Sequence, residues 1–439
     1  MLTIAIVAVF VAGYACIALE SVTKVNKAAV ALLMFVACWA LLLISPGSYF
    51  HGAGDVLEQA EAAIVSNLGD TSTTLFFLMG AMTIVEVVDQ NGGFNFVRDA
   101  LRTTSKKRLL WRIALMTFFL SAILDNLTTS IVLIMVLRKL IASRDDRLIY
   151  DAAIVIAANS GGAFSPIGDV TTIMLWNGGM ITAAGAVLHL LLPSLLSLVV
   201  PVVLFQFTLK GELQQDGVAL TQGPVEHELT AWERKTVFVL GVGGLMFVPL
   251  FHAITDLPPF MGILFVLAML WVTTELFYAH LKTRHGASHR VATLLSHIDM
   301  ATILFFLGIL MAVSCLKEIG VLTSLGRWLD GASGGNHYVV TGLIGIISSI
   351  VDNVPLVAGC MGMYPVAAVG DMAVDGIFWQ LLAYCAGVGG SILIIGSAAG
   401  VVVMGLEKIS FGWYLKHITP LAFIGYLAGM LGYWLQHLL

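Results

Sequence analysis

The stretch Ile123-Leu124-Asp125-Asn126-Leu127-Thr128-Thr129 decides the fold. It sits between two apolar arms, residues 109–124 and 130–141. Each arm is shorter than the ~20 residues that cross a hydrocarbon core at about 1.5 Å per residue. Basic residues flank the unit: Arg98, Arg102, Lys106, Lys107, Arg108 and Arg112 before it, Arg138, Lys139, Arg144 and Arg147 after it. Under the positive-inside rule both ends are cytoplasmic, so 109–141 is expected to enter and leave the bilayer on one face. A re-entrant hairpin keeps non-helical backbone at depth only where protein or water covers its tip. The Asp-Asn pair therefore belongs inside a larger helical assembly.

The remainder of the chain supplies that assembly. Of 439 residues, 59% are hydrophobic and 11% charged, with a mean hydropathy of +0.94. A soluble globule is about 45–50% apolar and 25% charged, so the expected class is an all-α polytopic membrane protein. Single spans read at 2–19, 28–45, 73–90, 183–208, 235–254, 258–281, 299–316 and 418–438. The stretches 149–180 and 376–406 are long enough to cross but are broken near the middle by glycines and polar residues, which brings the expectation to ten crossings. The net charge of -5 sums over loops on opposite sides, and no basic domain stands outside short loops, which excludes nucleic-acid binding. Cys16, Cys38, Cys315, Cys360 and Cys385 lie in apolar stretches without metal-ligand spacing and read as buried thiols. Residues 2–19 carry no basic n-region or cleavage site, so a retained first span in a bacterial inner membrane is expected.

A second hairpin reads at 338–364, around Asp352-Asn353-Val354-Pro355, with hardly any Lys or Arg at its ends. It should enter from the opposite face. With both hairpins placed, every Lys and Arg except Lys317 and Arg327 falls in or beside a cytoplasmic loop, and both termini lie outside. The pattern repeats at an offset of roughly 228 residues: Thr74-Leu75-Phe76-Phe77-Leu78 returns near Thr302–Leu307, Asp125-Asn126 as Asp352-Asn353, Gly161-Gly162 as Gly389-Gly390 and Gly168 as Gly396. An odd number of crossings separates the copies, which predicts two inverted repeats, 1–209 and 235–439, joined by a cytoplasmic linker at 210–234. Inverted repeats with broken helices and a midplane site are transporter architecture.

An ionisable group inside the bilayer costs roughly 2.5–3.5 kcal/mol on insertion scales, so each needs a reason. Asp125, Asp169 and Asp352 sit at the predicted breaks, among Asn126, Thr128, Thr129, Asn159, Ser160, Ser165, Thr171, Thr172, Ser348, Asn353, Ser391 and Ser397. These oxygen donors suit a hard cation. In Asn159 to Asp169 the glycines and Pro166 favour an unwound helix whose carbonyls and half-helix ends add to such a site. Asp125 and Asp352 rank first for shared cation and proton binding, Asp169 next. Helix capping and close packing are the plainer roles for such residues. Glu86, Asp89 and Glu275 near span ends read as interfacial, His189 as a hydrogen-bonded structural histidine, and the histidines at 280, 285, 289 and 297 as a solvated loop.

The run 123–129, the segment Asn159-Ser160-Gly161-Gly162 through Ser165-Pro166-Ile167-Gly168-Asp169-Val170-Thr171-Thr172, and Val351-Asp352-Asn353-Val354-Pro355 together resemble the NhaD sodium/proton antiporters of the ion transporter superfamily. The resemblance covers roughly residues 70–410, and the first 70 residues add nothing to it. It implies a homodimer in the lipid bilayer, with a scaffold and a mobile transport domain, and exchange of cytoplasmic Na⁺ or Li⁺ for external H⁺ without a cofactor. Family residues map onto Asp125, Asn126, Asn159, Asp169, Thr171, Thr172, Ser348 and Asn353. Na⁺ itself is expected at Asp125, Asn126, Asn159, Asp352 and Asn353, while the register leaves Ser391 and Ser397 open. Two alternatives stand beside this reading. A carboxylate or oxyanion transporter of the same superfamily would need a buried cation, and the sequence places no Lys or Arg at the bilayer centre. An intramembrane aspartyl hydrolase would use two of the three Asp residues.

Overall fold

Asp125 ends one helix and starts the next. Its φ of 83° and ψ of 158° lie in a region that is essentially glycine's, at a cost of about 1–3 kcal/mol. Two hydrogen bonds offset that cost: Asp125 Oδ1 accepts from Thr128 N at 2.7 Å and Oδ2 from Thr128 Oγ1 at 2.8 Å. The tip of the first hairpin is thus an N-cap held by its own sequence.

The computed structural model describes residues 2–18, 25–50, 55–93, 100–101, 103–141, 144–209, 229–279, 291–350 and 352–438. Among these are nineteen helices. The first ten are α1 (Leu2–Ala18), α2 (Lys27–Ile44), α3 (Val56–Gln90), α4 (Lys106–Leu124), α5 (Asn126–Leu140), α6 (Arg144–Ala163), α7 (Val170–Asn177), α8 (Ala183–Thr208), α9 (Ala231–Thr255) and α10 (Pro259–Ala279). After the short α11 (Val291–Leu294) come α12 (Met300–Glu318), α13 (Val321–Ser333), α14 (His337–Ser348), α15 (Asn353–Met363), α16 (Ile377–Gly389), α17 (Ala398–Glu407), α18 (Phe411–His417) and α19 (Thr419–Gln436). Most of the linker 210–234 and the histidines at 280, 285 and 289 lie outside the described residues, as does the side chain of His297.

The helix pairs α4–α5 and α14–α15, called hairpins below, meet at Asp125 and Asp352, and the pairs α6–α7 and α16–α17, called broken helices, are interrupted after Ala163 and after Gly389. Six helices, α2, α3, α8, α9, α10 and α12, are each long and apolar enough to cross a membrane, and α18 with α19, bent by 53°, could make a seventh. The protein is a multi-pass membrane protein. Large side chains such as Leu33, Leu188, Phe207 and Val272 are exposed on these helices, as lipid contact requires. Two elements depart from the sequence reading. Helix α3 begins at Val56 rather than residue 73 and runs 35 residues, roughly 52 Å, well beyond a 30 Å core. Helix α13 fills the segment between α12 and the second hairpin with its Leu322 and Gly326 buried and Trp328 exposed. Its apolar residues recur at helical rather than membrane-span spacing, so a search for long apolar runs passes over it.

Packing divides the helices into two groups. Helices α1, α2, α3, α9, α10 and α12 form a panel, with α2 against α1 and α12, and α3 against α9, α10 and α12. The hairpins pack on the broken helices: α4 against α6 and α14 against α16, then crosswise, α5 against α17 and α15 against α7. Every residue from Tyr150 to Asp169 is buried. That stretch, most of α6 and the break after it, forms the core of this second group.

The same contacts recur at both hairpins. Ser121 Oγ donates to the Ala158 carbonyl at 2.6 Å, and Ser348 Oγ to the Ala386 carbonyl at 2.8 Å. A Cβ on Gly161 would overlap the Phe118 carbonyl, and one on Gly389 the Gly345 carbonyl. These glycines set how closely each hairpin approaches its broken helix. Gly161→Ala and Gly389→Ala are each expected to cost about 1–3 kcal/mol, because backbone rather than a flexible side chain must yield. Thermal melts followed by fluorescence-detected gel filtration check this, with Gly243→Ala, which faces open space, expected to melt like the parent.

Candidate functional site

Asp169 caps α7, and its carboxylate is 1% exposed. Its Oδ1 accepts from Thr171 N and Thr171 Oγ1, both at 2.9 Å, which is the local reason the broken helix restarts there. Its Oδ2 accepts from Asn126 Nδ2 at 2.7 Å, and Asn353 Nδ2 lies 3.3 Å from both oxygens. One carboxylate therefore holds the amides of both hairpin tips.

The network continues into the second broken helix. Asn126 Nδ2 also donates to Asn159 Oδ1 at 3.0 Å, and Asn159 Nδ2 lies 2.9 Å from Ser391 Oγ and from Ser397 Oγ. Asn126, Asn159, Asn353, Ser391 and Ser397 are all buried, and all four interrupted segments contribute. The large majority of buried polar atoms in proteins are hydrogen-bonded, and this network satisfies its own. Ser391 and Ser397, which the register left open, both reach Asn159.

The other expected residues have separate partners. Asp125 and Thr128 serve each other at the first tip. Thr172 Oγ1 donates to the Asp169 carbonyl at 2.9 Å, Ser160 Oγ accepts from Ser197 Oγ at 2.8 Å, and Ser165 Oγ donates to the Ala122 carbonyl at 2.5 Å. Ser348 ties α14 to α16 as described, and Thr129 is buried with its hydroxyl unpartnered among the described residues. His189 is exposed, its ring centroid 5.8 Å from that of His437.

Asp352 caps α15, accepting from Val354 N at 3.3 Å, and its Oδ2 lies 3.8 Å from Lys27 Nζ. The sequence reading placed Lys27 beside a loop and no Lys or Arg at the bilayer centre; in the structure Lys27, at the start of α2, lies against the second tip. A second group missed from sequence is Glu407. It is 2% exposed and accepts from Arg138 Nε at 2.5 Å and Arg147 Nη2 at 3.0 Å. Arg138 also donates to the Leu406 carbonyl, and Arg144 to the Glu407 and Lys408 carbonyls at 3.0 and 2.7 Å. Arg138 and Arg144 so cover carbonyls at the C-terminal end of α17, where cations are favoured, and Arg147 meets the Glu407 carboxylate. In sequence these arginines marked only the cytoplasmic face; a lone glutamate at a helix end gave no signal of its partners.

A cavity of about 510 Å³ opens between the panel and the hairpin group, lined among others by Asp70, Thr74, Asn177, Lys317 and Met361.

The citrate transporter (CitMHS) family profile matches residues 14–382. The chain belongs to that family. Its match begins within α1, so the first 70 residues take part in the likeness that the sequence reading confined to 70–410. The chain is 43% identical to sodium/proton antiporter 1 of Arabidopsis thaliana, over 99% of this chain and 72% of that one. It is 31% identical to the Na⁺/H⁺ antiporter NhaD of Alkalimonas amylolytica, over 97% and 88% of the two chains. Within the CitMHS family it is thus of the NhaD type, a transporter and not a hydrolase. The crystal structure of the Alcanivorax borkumensis YdaH transporter shares the fold, with a TM-score of 0.58 at 16% identity over 92% of this chain and 97% of that one.

Proposed function

We propose that this CitMHS-family protein exchanges cytoplasmic Na⁺ or Li⁺ for external H⁺, the two competing for the Asp169 carboxylate. The observation that carries the reading is that this one buried carboxylate accepts from Asn126 and Asn353, the amides of both hairpin tips. Turning either amide about its last torsion would present an oxygen instead of an NH₂, giving Na⁺ hard ligands beside the carboxylate. Asp125 and Asp352 stand within electrostatic range of Asp169 and complete the competing set. Moving an uncompensated charge through the bilayer is costly. The hairpins and broken helices therefore move past the panel, elevator fashion, only when a proton or a cation neutralises the site. That rule enforces exchange.

The recurring contacts support the inverted-repeat reading, with ten crossings and opposed hairpins, and the cavity between the two groups supports alternating access along that boundary. A homodimer held through the panel completes the proposal. In proteoliposomes with an acidified lumen and a pH dye, adding Na⁺ or Li⁺ is expected to release luminal protons, and K⁺ to release none. Absence of release with both Na⁺ and Li⁺ would defeat the reading. The family profile's description and the ammonium of Lys27 at a hairpin tip favour one second reading, a carboxylate transporter. It predicts uptake of labelled citrate by the same vesicles.

A further inference from the structure

The two hairpin tips begin alike, Asp125-Asn126-Leu127-Thr128 and Asp352-Asn353-Val354-Pro355, and differ at the fourth residue. At the first tip Thr128 supplies both its N–H and its hydroxyl to the aspartate. At the second, Pro355 has neither group to give. Among the described residues, Asp352 accepts a single hydrogen bond, from Val354 N at 3.3 Å. The missing donors are replaced from elsewhere: Lys27 Nζ stands 3.8 Å from Asp352 Oδ2 and 4.5 Å from the centroid of the Phe305 ring. A carboxylate and an aromatic face together make a cation site, and here its occupant is tethered to the chain.

Lys27 is the first residue of α2, after the N-cap Asn26. A cation at that end of a helix opposes the macrodipole, so its position is not explained by the stability of α2. Helix α2 is in turn locked to the panel. A Cβ on Gly308 would come within 2.5 Å of the Ala31 backbone, and Trp39 Nε1 donates to the Met311 carbonyl at 2.8 Å. Consecutive residues of the second tip therefore answer to different bodies: Asp352 to the panel through Lys27, and Asn353 to Asp169 in the hairpin group.

We propose that Lys27 is the built-in counter-ion of Asp352, a positioning residue that clamps the second hairpin tip to the panel until a transported cation displaces its ammonium. The proposal rests on the antiport reading. It makes Lys27 a competitor of Na⁺, so removing its charge changes the Na⁺ dependence of exchange and not only its maximal rate.

The test uses the whole chain in proteoliposomes at one fixed pH. Lys27→Gln is expected to lower the Na⁺ concentration for half-maximal exchange at least threefold, and Lys27→Arg, which keeps a cation, to leave it near the parent value. An unchanged half-maximal concentration in Lys27→Gln, with or without a lower maximal rate, overturns the proposal. Should Lys27→Gln fail to fold, the unaltered protein decides the matter through amine labelling read by mass spectrometry. Saturating Na⁺ in place of choline is expected to raise labelling of Lys27 at least twofold as its ammonium leaves Asp352, and equal labelling overturns the proposal. Absence of exchange in the unaltered protein defeats the antiport reading instead, and the labelling result still decides whether Na⁺ displaces Lys27.

Discussion

Asp169→Asn is expected to reduce Na⁺- and Li⁺-driven proton release to the level of protein-free liposomes, a loss of at least a hundredfold. The carboxylate accepts from Thr171 N, Thr171 Oγ1, Asn126 Nδ2 and Asn353 Nδ2. An amide at this position has one acceptor oxygen. If that oxygen keeps the cap on α7, the new NH₂ faces two other NH₂ groups and the site loses its charge. An unmatched buried donor costs about 1–3 kcal/mol, more beside charged groups. Folding should survive, since Asn is as good an N-cap as Asp. A normal gel-filtration profile together with absent exchange is therefore the expected pair of results. Asp169→Glu, which keeps the charge but displaces it by one methylene, should retain partial exchange. Substantial exchange in Asp169→Asn would remove Asp169 from the centre of the mechanism.

Glu407→Gln is expected to act on stability. Glu407 is buried and meets Arg138 and Arg147, whose side chains are 36% and 12% exposed. Removing its charge leaves three guanidinium groups crowded at the end of α17 with the carboxylate that Arg138 and Arg147 share neutralised. Breaking a buried pair by deleting one partner costs roughly 3–5 kcal/mol, and solvent near Arg138 moves the expectation to the lower end, about 3 kcal/mol. The melting temperature in detergent should fall by several degrees, and exchange should track the folded fraction. A melt equal to that of the parent would show that the arginines need only the helix carbonyls. The contrast with Asp169→Asn is diagnostic, because that variant should lose exchange while still folded, whereas exchange in Glu407→Gln should follow the folded fraction.

Chain breaks were legible because they are local chemistry. Asp125 accepts from a residue three positions on, and Asp169 from one two positions on. The glycine pairs that recur at a constant offset marked where hairpins meet broken helices. Positive charge marked which apolar arms turn back. All of this is carried by short stretches of sequence, and helices end and restart at Asp125 and before Asp169.

Which carboxylate gathers the site was not legible. The sequence ranked Asp125 and Asp352 ahead of Asp169, each an aspartate heading a helix, and only the crosswise packing of the hairpins on the broken helices carries two amides to Asp169. The same holds for Lys27 with Asp352 and for Glu407 with Arg138 and Arg147, partners more than 250 residues apart. Sequence by itself determined where the helices break, because a cap, a proline or a glycine acts on its neighbours. Tertiary structure alone decided which charges meet, because a buried charge takes its partner from whatever packing brings within about 4 Å, and nothing in the local sequence of either residue specifies that packing.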